Sequence, residues 1–186
     1  MELINYSDNH ETLWETICDL SPLSTIMHKR KYLSYHNDKF QDFSLIIKHK
    51  NNTAILPAAS TKTNKDLIIS HPGISFGGFI HDGFLKGNIS IEAFNLICKY
   101  YAKKGFKRFI YKSIPNIYRS ISYQDDIYSL FRINAKKVRC DLSCAIDLKK
   151  NIKLNNRRRR NFKKALRSNI DISENINYLE EYWEVL

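Results

Sequence analysis

Two apolar runs, "FSLII" and "TAILPAA", stand on either side of Asn51-Asn52. Asparagine tolerates the positive φ that a tight hairpin turn demands, so the pattern predicts an antiparallel hairpin turning at Asn51-Asn52. An early hairpin commits the fold to a sheet. The question is then what packs on it.

Ahead of the hairpin, the first forty residues read as helical. "HETLWETICDL" sets Leu13, Trp14, Ile17 and Leu20 at helical spacing. "SPLSTIMHKRKYLSYH" opens on Ser21-Pro22, a suitable helix start. After the hairpin, "DLIIS" predicts a short strand and "HPGISFGGFIHDG" a glycine-rich connection or irregular strand. Ser90–Lys104 predicts a helix with Ile91, Phe94, Ile97, Cys98 and Tyr101 on one face, Ser90 as N-cap and Gly105 just past its end. "KRFIYKSI" is a strand ending before Pro115, and "DDIYSLFRINAKK" a helix with acids in its first turn and lysines in its last. "VRCDLSCAIDL" and "NIDIS" read as strands, "NNRRRRNFKKALRS" and "NINYLEEYWEVL" as helices. Strands and helices interleave after a helical start. The expected class is therefore α+β, a mixed and largely antiparallel sheet flanked by helices.

Charge is distributed unevenly along the 186 residues. Between Leu148 and Ile170 lie ten Lys or Arg and no acid, while the rest of the chain holds twenty basic and nineteen acidic residues. Nearly all of the net +11 is one patch. Concentrated charge points to a local anionic partner more than general basicity would. Four arginines, Arg157, Arg158, Arg159 and Arg160, fall at the start of a helix, where the dipole disfavours cations by about 0.3–1 kcal/mol each. A bound anion would offset that, and the planar arginine fork suits phosphate. Arg157–Arg160 with Lys163 and Lys164 are the candidate phosphate-binding residues. Asn155 or Asn156 is the candidate cap. On a helical wheel Phe162, Ala165 and Leu166 form the face expected to meet the sheet, and Arg158 projects on that same side, where it would need a partner. The simpler alternative is a solvated basic face.

Other candidates are weaker. "GISFGG" has neither the Lys-Ser/Thr of a P-loop nor a dinucleotide spacing, so its glycines imply a turn or a close backbone approach. His71, before a proline, is a candidate general base. Tyr111, Lys112, Tyr118 and Arg119 around Pro115 either line a cleft or close the core as an aromatic corner. Asp125 and Asp126 begin the following helix. Asp141 and Asp147 fall opposite Cys140 and Cys144 on the predicted strand, and either could act as a base. The two cysteines are expected to be buried thiols. Cys18, Cys98, Cys140 and Cys144 have no metal-ligand spacing, so no metal is expected. No apolar run is long enough to span a bilayer, and the N-terminus lacks the pattern of a secretory signal, so a cytoplasmic location is expected.

Three stretches together resemble a family. "YHNDKFQDFSLIIKHKNNTAILPAA", "ISHPGISFGGFI" and "FIYKSIPNIYRSISYQDDIYSLFRINAKKVRCDLSCAIDL" look like the first half of bacterial GNAT-type acyltransferases related to the FemA/FemB/FemX group. "RRRRNFKKALRSNIDI" is similar to the Arg-Arg-x-x-Lys-Lys-Ala helix of that group. The resemblance runs from about Lys31 onward. It implies two GNAT-like halves, with residues 1–150 as the first domain, including its helical N-terminal segment, and 151–186 as the start of the second. Such enzymes transfer an acyl group from acyl-CoA, or an amino acid from charged tRNA, to an amine, including amines of cell-envelope and polysaccharide precursors. Acetyl-CoA, tRNA or a nucleotide-linked precursor would be the phosphate-bearing ligand. CoA or aminoacyl-tRNA would act as co-substrate, with no tightly bound cofactor. Relatives continue well beyond the position matching Leu186, so the chain is expected to be a truncated enzyme with little activity alone, needing a C-terminal half or self-association. The Arg/Gln-x-x-Gly-x-Gly/Ala loop of ordinary GNAT enzymes is missing, and the resemblance assigns no catalytic residue. Two competing expectations are a nucleic-acid-binding module using the basic helix and a non-catalytic assembly partner.

Overall fold

The computed structural model describes residues 1–36, 39–150 and 153–186. The chain divides into two compact units, Met1–Asp141 and Leu142–Leu186. The expected domain limit at 150/151 abuts Asn151 and Ile152, which lie outside the described residues.

The first unit is α+β, with a three-stranded and a four-stranded sheet. Strand β1 (Glu2–Asn5) pairs antiparallel with β3 (Leu45–His49), which pairs antiparallel with β4 (Asn52–Leu56). The second sheet runs β2 (Phe40–Asp42), β5 (Ala59–Thr61), β6 (Asn64–Ile69), β7 (Arg108–Ile110), and only its β6–β7 pair is parallel. That pair is linked through helix α3 (Gly87–Lys103) in a βαβ crossover. The other helices are α1 (Glu11–Leu20), α2 (Arg30–Leu33) and α4 (Asp125–Arg132).

The predicted hairpin is the centre of the unit. Leu45, Ile47, Ala54 and Leu56 face Phe94, Ile97 and Tyr101 of α3, and Ile46 and Ile55 face Trp14 and Cys18 of α1. Both faces are covered, which is why the two strands read as continuous apolar runs and not as alternating ones. The turn lies one residue earlier than expected. His49 pairs with Asn52, and Lys50, not an asparagine, carries the positive φ of 53°.

The helical reading of the first forty residues needs correction. Glu2–Asn5 is a strand, held by a partner forty or more residues away that local periodicity does not reveal. After Leu20 the chain forms a turn, a short 3-10 segment at Ile26–His28 and only four α-helical residues in α2. Thr25 explains part of this: its N–H donates to His28 Nδ1 at 2.9 Å, a local bond that competes with helix propagation. The expected helix around Ser90 starts three residues earlier, at Gly87, whose N–H is accepted by Asp125 Oδ1 at 2.8 Å. A carboxylate from α4 thus supplies the cap, and Ser90 is buried inside α3. Gly105 takes a φ of 92°, as a residue past a helix end should.

Residues 138–148, predicted as a strand, have no regular structure, and Cys140 and Cys144 are exposed where buried thiols were expected. A strand needs a ladder partner, and this run has none among the described residues. The "NIDIS" run fails as a strand for the same reason.

The second unit holds α5 (Asn156–Leu166), a 3-10 turn at Ile176–Tyr178 and α6 (Leu179–Val185). Every described residue in it is exposed. Among the described residues no helix is long and apolar enough to cross a membrane.

Candidate functional site

The basic run begins a helix because Asn155 stops the extended chain and caps it. Its backbone is extended (φ −66°, ψ 163°), and its Oδ1 accepts from the Arg158 N–H at 2.9 Å. Its carbonyl accepts from Arg159 N–H at 3.0 Å. Two backbone donors are thereby satisfied at the end where the dipole is positive. Behind this cap stand Arg157, Arg158, Arg159, Arg160, Lys163 and Lys164, all exposed. None of them lies within salt-bridge distance of an acid among the described residues.

The helix brings these cations together on more than one side. Taking Phe162 as reference at 100° per residue, Arg157, Arg160, Lys164 and Arg167 fall within about 40° of the opposite pole. Arg158 and Arg159 fall within about 60° of Phe162, and Lys163 at about 100°. Within the second unit no buried surface stands beside Arg158. Phe162 is 57% and Leu166 67% exposed, so Arg158 carries no burial cost within its own unit. The outward group forms a cationic strip about 16 Å long, set by the length of an eleven-residue helix.

A second constellation, in the first unit, escaped the sequence reading. Asp126 and Arg119 form an ion pair at 3.3 Å with both side chains only 2% exposed. Asp126 Oδ2 also accepts from Ser113 Oγ at 2.8 Å and Tyr111 Oη at 3.2 Å, and Oδ1 accepts from Ile127 N–H at 2.9 Å. Tyr111 Oη in turn accepts from Phe79 N–H at 3.0 Å. The carboxylate therefore has its acceptor directions filled. It ties the chain after β7 to the first turn of α4 and has none of the openness that a general base requires. Arg119 Nε and Nη1 are buried without a hydrogen-bond partner among the described residues. Tyr111 and Arg119 thus close the core. Burial and the neighbouring Asp126 push the Tyr111 hydroxyl well above its usual range, so it stays protonated. The signal in the sequence was the pair Asp125-Asp126, but spacing alone could not show that the second carboxylate turns inward.

His81 sits beside this cluster, its ring 4.7 Å from Tyr123. Its Nδ1 accepts from Gly83 N–H at 2.8 Å, which assigns the proton to Nε2. Burial, with Lys86 and Arg119 nearby, lowers its pKa to about 3. His28, buried and bonded to the Gly77 carbonyl at 3.2 Å, is lowered to about 4 by burial. Both rings are neutral structural groups. His71 is buried, with a φ of 61° and Phe40 edge-on at 5.7 Å, a poor setting for a general base. Lys112 is half-buried, and burial followed by Arg139 lowers its pKa. Its Nζ donates to the Ile74 carbonyl.

Gly77 shows the close approach its motif implied. A Cβ there would lie 2.2 Å from the Ser70 carbonyl oxygen, and its N–H donates to the Lys112 carbonyl at 3.0 Å. Of the carboxylates considered as bases, Asp141 pairs with Arg139 at 2.7 Å, and Asp147 Oδ1 accepts from Lys149 N–H at 3.0 Å in an exposed turn. An open cleft lined by Tyr6, Glu11, Arg30, Lys31 and Asp42 mixes both signs of charge. Its central cation is committed elsewhere: the Arg30 guanidinium stacks 3.7 Å over Tyr6 and pairs with Asp42. The unpaired cations of α5 remain the best anion-binding constellation.

No family model, curated protein or solved structure matches this chain.

Proposed function

We propose that α5 binds the phosphates of a ligand used in N-acyl transfer, and that the chain belongs with the FemAB-like GNAT acyltransferases it resembles. The observation that supports this is the row of cations left unpaired behind an intact Asn155 cap. Arginine forks and lysine ammoniums at this spacing fit a pyrophosphate or successive backbone phosphates. Acyl-CoA, charged tRNA and nucleotide-linked precursors all carry such groups. In the transfer, the amine nitrogen of the acceptor attacks the carbonyl of the thioester or ester. A C–N bond forms, the C–S or C–O bond breaks, and the amine proton leaves to a base. This reading gives the chain phosphate binding and assigns no base.

The test is binding to CoA, charged tRNA and a nucleotide-linked precursor, comparing the chain with an Arg157→Glu, Arg160→Glu double variant. Loss of binding to at least one ligand is expected. Equal affinity of both proteins for all three would reject the assignment. A nucleic-acid-binding module is the second reading, favoured by the length of the cationic strip. It requires affinity for unacylated RNA or DNA that falls steeply with salt, because several phosphate contacts release counterions.

A further inference from the structure

The two helices of the second unit are opposites. From Leu148 to Arg167 every charged side chain is basic, and from Ser168 to Leu186 there are five acids and no Lys or Arg. Helix α5 shows an apolar stripe through Phe162 and Leu166, bordered by Arg158 and Arg159. Helix α6 shows a stripe through Leu179, Tyr182, Trp183 and, one residue on, Leu186, spaced i, i+3, i+4, i+7. Glu180, Glu181 and Glu184 fill the rest of its circumference. Trp183 is 65% exposed, and neither stripe is covered within the unit. Nor do the acids of α6 lie within salt-bridge distance of a cation among the described residues.

A basic amphipathic surface and an acidic one, each uncovered on the same short unit, complement each other in both charge and polarity. We propose that a second copy of this chain covers them: α5 of each protomer docks on α6 of the other. The arrangement is isologous, since one contact is repeated by the two-fold, and it buries both stripes at once. Arg158, Arg159 and Lys163 then face the acids of the partner's α6. Arg157, Arg160, Lys164 and Arg167 stay outward, so the dimer takes Arg158, Arg159 and Lys163 from the candidate phosphate-binding set and leaves these four cations free for phosphate.

Sedimentation velocity of the whole chain across a wide concentration range, at low and high salt, tests this. A monomer–dimer equilibrium weakened by salt is expected. Two variants sharpen it, one with Arg158→Glu, Arg159→Glu and Lys163→Glu, the other with Glu180→Lys, Glu181→Lys and Glu184→Lys. Each alone should dimerise at least about tenfold more weakly than the parent, because like charges then oppose each other. Their mixture should regain dimer, since both contacts are again of opposite sign. A monomer at every concentration overturns the proposal, whether α6 folds back on its own α5 or both stay free. So does a dimer indifferent to both reversals, or a mixture that does not recover. Circular dichroism on each variant confirms that helix content is retained.

Discussion

Phe94 and Phe162 each sit on a helix with regular apolar spacing, and they meet opposite fates. Phe94 is wholly buried between α3 and the sheet, while Phe162 lies open on α5. The first unit turns periodicity into a core because a hairpin apolar on both sides offers a surface to α1 and α3 alike. In the second unit, periodicity and a good cap form helices whose apolar faces have nothing to meet within the unit. Local signals specify an element. Burial depends on what lies opposite it.

The contrast can be broken most forcefully at the buried ion pair. Asp126→Ala strands the Arg119 guanidinium, and the first unit should lose about 3–5 kcal/mol in urea unfolding, with Phe94→Ala costing a similar amount through its cavity. A loss under about 1 kcal/mol at Asp126 would mean that the arginine has another route to solvation.

Acid should act next, and on one unit alone. His28 and His81 have folded pKa values of about 4 and about 3, below the unfolded 6.5. The unfolded chain therefore takes up protons first. Stability is complete above about pH 6.5 and falls by about 1.4 kcal/mol per pH unit per ring as pH drops toward the folded values. Urea midpoints at about pH 7 and about pH 5 should differ accordingly, and equal midpoints would contradict the neutral, buried assignment. The second unit contains no histidine, so its helical signal should not follow this titration.

Smaller effects lie in the second unit. Asn155→Ala should cost about 1 kcal/mol of α5 helix stability, visible as lost helicity in a peptide covering that segment. Phe162→Ala should change the unfolding free energy by no more than about 0.5 kcal/mol when measured at concentrations where the chain is monomeric. A larger loss would show that its ring is covered after all.

Elements whose cause is local were legible: α1, α3, α4, α5 and the hairpin follow from apolar spacing, and α5 also from its Asn155 cap. What escaped depends on distant partners. Strand β1 is four residues, "ELIN", too short to declare itself without β3 beside it. The start of α3 is set by Asp125, thirty-eight positions along the chain from Gly87. The inward turn of Asp126 needs Tyr111, Ser113 and Arg119 converging from a loop. In the opposite direction, "VRCDLSCAIDL" has the alternation of a strand and remains exposed, because alternation describes a face and does not supply the ladder. On α5 the cap, the cations and their order were all readable, and what the sequence did not show was that nothing in its own unit covers the Phe162 side.

The central hairpin is apolar on both of its faces. In most half-buried strands, sliding one residue along the partner throws the apolar set into water, and that penalty selects the alignment. Here Leu45, Ile46 and Ile47 are all buried, as are Ala54, Ile55 and Leu56, so a slip would expose little that is greasy. Alignment must come from elsewhere. The two-residue turn with Lys50 at positive φ supplies one constraint, the Ile55–Ile80 bridge a second, and the single small side chain, Ala54 opposite Ile47, a third. The most apolar part of this protein is thus the part where hydrophobicity says least about which residue faces which, and the choice falls to a turn, a bridge and one small side chain.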